Sequence, residues 1–586
     1  MKYLKNLVTV SFAITIVLGA CTKDEYALNK MNSNEQHGKK SSIAQPSEGL
    51  MSLGNQLEDP YALKNMKKAY SNLKAANPSL PDVNIQPTHL YMRFLPSTEE
   101  ELSLLKSDTS LVLYDYPLNF EITTSGTYYH DPSIPETAIT WQYCVIPIKH
   151  SIPNVPHELL YEVYIPDDDI VNTKGSPEVN QLLLDMETES VNLTGNMPKG
   201  ILPSKWTPKG TILVWDDILT TTTYTQVFDH WEYYDCSQAA PLQQANATNP
   251  AKHIMQMAPV DPIDPTQCQR AVYRTVATTT QGRYIPLVGA SVHARWFVHI
   301  ETDLTDANGY FQTSRFRYEV NYAIKWERSH YDIRNGMFLQ AWYNGPKQKG
   351  DWNLNIKGGK SIMFATMHRA ACKHFYGDNL GLNRPTLNYG GKTKICYRDG
   401  VGTGVFWGDW STSGILPDIQ VWGKDQYGYR PTQEIFGTTA HELGHQAHSQ
   451  NLGNIQYWQV SKIIYESWAD AVEWALSNDE YHYWGNRFGI AVGINYNHPY
   501  NKHDIWPFVD DKAYSPIFID LMDDNNQRTL SSRLPNDLIK GYTLSYVNWY
   551  ILRNSYGISS LFNEVKNHKI TGVTDTQINE LFALYW

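Results

Sequence analysis

The 586-residue sequence has no excess of positive charge: 49 Lys and Arg stand against 60 Asp and Glu, a formal net charge of −11. A chain with this balance has no general attraction to a phosphate backbone, which argues against a nucleic-acid partner. No two of its six cysteines are spaced as Cys-x-x-Cys, which argues against a zinc site held by cysteines. Hydrophobic residues make up 42% of the chain, which is enough for several folded cores. Together with the length of 586 residues, this content predicts a multidomain protein.

Long apolar runs are also missing beyond the amino terminus. No stretch after the first twenty residues approaches the roughly 20 apolar residues that a membrane-spanning helix needs. Lys2 and Lys5 precede an apolar run from Leu7 to Leu18, which is typical of an export signal. The sequence therefore predicts that residues 1–20 direct secretion and that the mature protein does not cross a membrane.

The end of the apolar run, Leu-Gly-Ala-Cys at 18–21, resembles the lipobox of bacterial lipoproteins. The resemblance implies that a lipidated Cys21 is the only membrane attachment; an ordinary signal peptide with a chance cysteine is the alternative. Residues 21–58 are polar and predict a flexible tether. Asp24 and Glu25 resemble the surface-export signal of Bacteroidota lipoproteins, which implies an outer-membrane lipoprotein exposed at the cell surface.

Three regions follow the tether. A helical pattern at 59–75 and then short β-branched and aromatic runs predict a β-rich amino-terminal region over 59–270. Residues 271–335 alternate apolar and polar positions around PLVGASV and DANGYF, and they resemble carboxypeptidase regulatory-like, transthyretin-like β-sandwiches. Helical spacing prevails over 336–586, so we expect a domain there that is α+β but mainly helical and that carries the chemistry.

The chemical signal is the run EIFGTTAHELGHQAHS, which contains an HExxH motif at residues 441–445. His441 and His445 are separated by four positions, so their imidazoles share one helix face and can converge on one ion. Glu442 lies beside them and is free to act as a general base. About 20 residues later, Glu466 and Asp470 share the polar face of a second predicted helix.

These two elements together resemble the gluzincin clan of zinc metallopeptidases, whose members are thermolysin-like in their core. The resemblance implies that His441, His445 and Glu466 bind one catalytic Zn²⁺ and that Glu442 activates the zinc-bound water. It also implies that Asp470 lies behind a ligand histidine, where a carboxylate would fix the tautomer. The alternatives are an inactive zincin, Glu473 as the ligand in place of Glu466, and His448 as a further ligand. A last alternative is that Glu466 and Asp470 form a solvated helix face while hydrogen bonds satisfy the two histidines.

Gluzincins also take an oxyanion donor from a residue downstream of the third ligand. The candidates are Tyr481, His482, His498, His503 and Tyr514, and we prefer Tyr514 because it opens a helix-like segment. The predicted strand at 416–422 would supply the sheet edge that binds an extended substrate.

The sequence thus predicts zinc-dependent hydrolysis of peptide bonds in extracellular polypeptides or glycoproteins, with no prediction of oligomeric state. The alternative is a surface lipoprotein that binds glycans or proteins and whose zincin-like domain is inactive.

Overall fold

A computed structural model describes residues 48–166, 176–196, 203–235, 258–259, 267–385, 391–406, 418–489, 506–508 and 512–586. The predicted signal peptide, Cys21 and the tether up to residue 47 lie outside these ranges. Backbone contacts divide the chain into two compact units, one formed by residues 1–215 and 284–586 and the other by 216–283. No helix in the described ranges combines the length and the apolarity needed to span a bilayer.

The strands are short apart from β6 and β8. In chain order they are β1 (Ser52–Gln56), β2 (His89–Phe94), β3 (Phe120–Thr124), β4 (Gln142–Pro147), β5 (His157–Val163), β6 (Lys209–Asp235), β7 (Ala258–Pro259), β8 (Gln267–Pro286), β9 (Ser291–Trp296), β10 (His299–Leu304), β11 (Tyr310–Gln312), β12 (Val320–Lys325), β13 (Tyr331–Asn335), β14 (Leu339–Gln340), β15 (Trp342–Gln348), β16 (Leu354–Ile356), β17 (Thr393–Val401), β18 (Gly404–Phe406), β19 (Ile419–Asp425) and β20 (Gly428–Tyr429).

The helices longer than two turns are α1 (Leu63–Ala76), α2 (Glu99–Ser107), α3 (Pro177–Leu193), α4 (Gly359–Tyr376), α5 (Thr432–Leu452), α6 (Lys462–Phe488), α7 (Ile558–Asn567) and α8 (Asp575–Phe582). Single helical turns lie at Asn454–Tyr457, Ile517–Asp520 and Gln527–Thr529. A helical stretch at 544–554 includes a π-helical turn, Val547–Ile551.

The amino-terminal region is β-rich, as predicted. Strand β2 pairs with β4 and β5 in an antiparallel sheet, and β1 pairs with β3. Strand β1 lies inside the predicted tether, so ordered structure begins earlier than its polar composition indicates. The helix predicted at 59–75 is confirmed as α1. Its buried face is formed by Leu63, Met66 and Ala69, which recur at helical spacing.

The segment predicted to form a sandwich, 271–335, is made of strands that depend on partners outside it. Strands β9, β10 and β12 join β15 in a four-stranded antiparallel sheet. Strand β11 pairs with β6, and β16 also pairs with β6. The smaller unit is built from the remaining parts of β6 and β8, where Thr221 donates to the Gly282 carbonyl at 2.9 Å and Gln226 donates to Thr275 at 2.8 Å.

The prediction of a mainly helical catalytic domain over 336–586 is wrong. A six-stranded sheet with the order β14-β13-β17-β19-β18, in which β20 also pairs with β19, runs through this region and begins before it, at Tyr331. Strands β13, β17 and β19 are parallel, and β18 is antiparallel to β19. The protein is therefore β-rich with several sheets. The sequence hid β13 and β17 because parallel strands buried on both faces lack a period of two, and β13 is buried at all five positions.

A buried network of charges connects α2 to this sheet. The Arg334 guanidinium, on β13, donates to the two Glu99 carboxylate oxygens at 2.8 and 3.1 Å and to Asp332 at 2.9 Å. Lys106, also on α2, donates to Asp332 at 2.5 Å and to Gln340 at 3.0 Å. Since the Glu99, Asp332 and Arg334 side chains are at most 2% exposed, the charges depend on each other rather than on water.

We expect Arg334→Met to destabilise the protein by about 3 kcal/mol or more, because it removes the guanidinium that donates to the buried carboxylates of Glu99 and Asp332. Lys64→Met is the matched control: its pair with Glu58 is 74% and 50% exposed, so we expect a change below about 1 kcal/mol. Urea unfolding followed by tryptophan fluorescence would measure both. Equal shifts in the two variants would contradict the assigned role of the buried network.

Candidate metal centre

The HELGH sequence lies in the middle of α5, a helix that is buried over most of its length. Gly453 ends the helix with a φ of 83°, a left-handed conformation that favours glycine, and its N–H donates to the Ser449 carbonyl at 2.8 Å. The chain then turns back through Asn454–Tyr457 into α6, which carries Glu466. The two helices that hold the candidate ligands are thus consecutive in the chain.

Two glycines on α5 permit α6 to approach. A methyl group built on Gly444 would lie 3.1 Å from Val472 Cβ, and one on Gly437 would lie 2.4 Å from Glu473 Oε1. A larger residue at Gly437 would displace the Glu473 carboxylate. The glycine inside the HELGH motif therefore has a packing role, since it brings the α6 backbone close to the histidines.

Three side-chain atoms converge between these helices. His441 Nε2 and His445 Nε2 lie 3.1 Å apart, and Glu466 Oε2 lies 3.5 Å from the first and 3.4 Å from the second. Ligands about 2.1 Å from a tetrahedral zinc ion lie roughly 3.4 Å from each other. The spacing and the two-nitrogen, one-oxygen set match a catalytic zinc site, so these residues would hold the ion.

The ionisation of these groups suits metal binding. Burial lowers the pKa of His445, and the Glu466 carboxylate only partly offsets that effect. Burial raises the pKa of Glu466, but hydrogen bonds from His441 and His445 outweigh it and hold the pKa below its usual value. A neutral imidazole and an ionised carboxylate are the forms that bind a metal.

The outer nitrogen of His441 faces two carboxylates. Asp470 Oδ1 lies 3.1 Å and Glu473 Oε2 3.4 Å from His441 Nδ1. These three residues are also close enough to hold an ion of their own. A neutral imidazole has a lone pair on one ring nitrogen and a proton on the other, so it can bind only one ion. His441 could serve both sites only with both ring nitrogens deprotonated. We therefore place Asp470 and Glu473 behind His441, where they orient it.

Glu442 lies against the end of the six-stranded sheet. It is 1% exposed, and a methyl group built on Gly404 would lie 2.3 Å from Glu442 Oε1. Gly404 begins β18, which lies at the end of the sheet among the described residues. The strand predicted as the edge, 416–422, corresponds to β19 and lies between β17 and β18, so that prediction is wrong. A three-residue strand among glycines gives no periodic signal, which is why the sequence did not reveal β18.

The candidate oxyanion donors differ in position. Tyr514 is 1% exposed, and the next residue, Ser515, donates its backbone N–H to Ser467 Oγ at 2.9 Å, which places this segment beside α6 next to Glu466. The ring of Tyr481 lies edge-on to Phe436 on α5. His482 is on the exposed side of α6. His498 and His503 lie outside the described residues.

Two residues near the ligands had no functional signal in the sequence. Tyr457 Oη lies 3.1 Å from His445 Nδ1, and Gly404 lies against Glu442. Burial lowers the pKa of His448 to about 3, and this neutral ring lies edge-on to Tyr457. A tyrosine four positions after a glycine does not by itself indicate a functional residue, so the sequence did not single out Tyr457.

No protein-family model, no curated protein and no solved structure matches the chain. The resemblances to gluzincins and to transthyretin-like domains therefore remain inferences from residue patterns and, for the former, from the geometry of α5 and α6.

We expect the purified chain to bind one zinc ion, and His441→Ala, His445→Ala and Glu466→Ala each to abolish tight binding because each removes one converging atom. Glu442→Gln is the control: it changes an equally buried neighbour that is not among the three and should keep the ion. Equilibrium dialysis followed by elemental mass spectrometry measures the stoichiometry. Unchanged zinc content in the three ligand variants would refute this assignment.

Proposed function

We propose that the protein is a zinc-dependent peptidase that hydrolyses peptide bonds in extracellular polypeptides or glycoproteins. The observation that supports this most strongly is the convergence of His441 Nε2, His445 Nε2 and Glu466 Oε2 within 3.5 Å of one another, together with a buried Glu442 on the same helix as the two histidines. When bound, zinc would supply Lewis-acid activation of water and of the scissile carbonyl.

Glu442 is the general base in this proposal. Its carboxylate accepts a proton from the attacking water and then delivers that proton to the leaving nitrogen. It is suited to this role because it is buried among residues of α5 and β18, where bulk water does not screen it. Tyr514 remains our proposed oxyanion donor, on the basis of its burial in a segment attached to Ser467 beside Glu466.

An extended polypeptide is the substrate class that the sheet favours. Strand β18 is antiparallel to β19, and its outer side has no strand partner among the described residues. Such an edge can add a substrate strand through main-chain hydrogen bonds. Because Gly404 is adjacent to Glu442, a peptide paired with β18 would run past the general base.

Location and partners are part of the same proposal. An outer-membrane lipoprotein attached through Cys21 and exposed at the cell surface would meet extracellular polypeptides and glycoproteins as substrates. The protein would then be attached to the membrane only through the lipid on Cys21.

We expect Glu442→Gln to lower peptide hydrolysis by about 10²- to 10⁴-fold while zinc remains bound, since it removes the proton acceptor but no ligand. A peptide library digested by the soluble chain and read by mass spectrometry tests this, with a chelator-treated sample beside it. Cleavage by the Glu442→Gln variant at the wild-type rate would exclude the proposed mechanism. Zinc binding without any cleavage would favour the alternative of a surface-binding protein with an inactive zincin-like site.

We also expect Gly404→Ala to reduce turnover by on the order of 10²-fold, because its methyl group would force the Glu442 carboxylate to move by about 1 Å. Gly400→Ala, on β17 of the same sheet, is the control: the nearest atom to its added methyl group is Trp422 Cδ1 at 3.7 Å, an ordinary contact. Steady-state kinetics on a peptide found in the library would compare them. Equal activity of the two variants would contradict the proposal that β18 positions Glu442 for catalysis.

A further inference from the structure

We infer that Tyr457 is a positioning residue for the candidate metal centre, which it serves by fixing the tautomer and the orientation of His445. This inference rests on the proposed function, because it assigns His445 as a zinc ligand. Tyr457 Oη lies 3.1 Å from His445 Nδ1, and both side chains are at most 3% exposed. A hydroxyl that accepts the Nδ1–H leaves the Nε2 lone pair directed at His441 and Glu466.

The loop between α5 and α6 sets this contact. Gly453 reverses the chain direction in its left-handed conformation, and the Tyr457 N–H donates to the Gly453 carbonyl at 3.0 Å. The Tyr457 ring returns to the α5 surface, where it lies edge-on to the ring of His448, one helical turn after His445. Tyr457 is thus held from its backbone and from its ring.

Other tyrosine–histidine pairs in the chain have a different environment. Tyr114 Oη lies 2.9 Å from His293 Nδ1, and Tyr331 Oη lies 2.8 Å from His368 Nδ1. The other ring nitrogen of His368 contacts the Val288 carbonyl at 3.0 Å. A protein hydrogen bond therefore occupies each side of that imidazole.

At His445, in contrast, the second nitrogen faces another imidazole nitrogen at 3.1 Å and a carboxylate oxygen at 3.4 Å. Two Nε2 atoms at this distance need either a proton or a cation between them. When Tyr457 Oη accepts the Nδ1–H, the Nε2 side of His445 presents a lone pair, which is the arrangement a metal ligand requires.

The two ligand histidines are supported by different chemistry. His441 has the carboxylates of Asp470 and Glu473 behind it, whereas His445 has a neutral hydroxyl among aromatic rings. The rings of Phe406 and Tyr465 lie 6.1 and 5.7 Å from that of His445. The Tyr457 phenol orients the His445 imidazole without adding a further buried negative charge. Tyr457 therefore contributes orientation and no charge to the candidate site.

The test is Tyr457→Phe, which removes the hydroxyl and keeps the ring. Zinc affinity of the metal-free protein is measured by competition with a chromophoric chelator, and we expect the dissociation constant to rise by about 10- to 100-fold. The visible absorption of the Co²⁺-substituted protein is the second readout, and it should change because the imidazole is free to reorient. Circular dichroism of the metal-free variant should match that of wild type.

Tyr376→Phe is the matched control, because Tyr376 Oη makes the same type of contact to a histidine on other elements, at 2.9 Å from His330 Nδ1. Its zinc affinity and Co²⁺ spectrum should equal those of wild type. An unchanged dissociation constant and spectrum in Tyr457→Phe would overturn the inference and leave zinc binding intact. Absence of zinc binding in wild type would instead reject the metal centre itself, so the two failures are distinguishable.

Discussion

The close approach of α5 and α6 is the constraint on which the candidate site depends. Without a side chain at Gly444, Val472 lies within contact distance of the α5 backbone, and without one at Gly437, the Glu473 carboxylate fits beneath it. Only at this separation can a carboxylate on α6 lie within 3.5 Å of two imidazoles on α5. The same contact brings Asp470 behind His441. The arrangement of the candidate ligands is therefore a consequence of helix packing. A bulkier residue at either glycine would separate the candidate ligands although it altered none of their side chains.

The position of Glu442, the proposed general base, depends on a second element, the sheet. Strand β18 contributes Gly404 against Glu442, and β18 is held by β19, which is held in turn by β17 and β13. Strand β13 carries Arg334, whose buried contacts with Glu99 attach the sheet to the amino-terminal region. Strand β18, Glu442 and the amino-terminal region are thus connected through the sheet, which gives the amino-terminal region a part in holding the candidate site although it supplies none of the candidate ligands.

The sequence was more informative about the candidate ligands than about the fold around them. Helical spacing placed His441 and His445 on one helix face and Glu466 and Asp470 on another, and the resemblance to gluzincins implied that the two faces meet. Strands β13 and β17 were not predictable, because buried parallel strands lack alternation and their pairing joins residues about 60 positions apart. Tyr457 and Gly404 were invisible for a related reason: each acts through a contact made after the chain has turned, and neither residue type indicates chemistry by itself.

Metal binding and catalysis make separate demands on this site. Glu442, Glu466, Asp470 and Glu473 are all buried, and a divalent cation would offset the cost of placing so much negative charge out of water. That need would exist in a purely structural zinc site as well. Glu442, however, is outside the three converging atoms and faces the sheet edge at Gly404. A buried carboxylate that holds no metal increases the electrostatic cost of the fold, so its location beside a substrate-accepting edge favours proton transfer over a structural role.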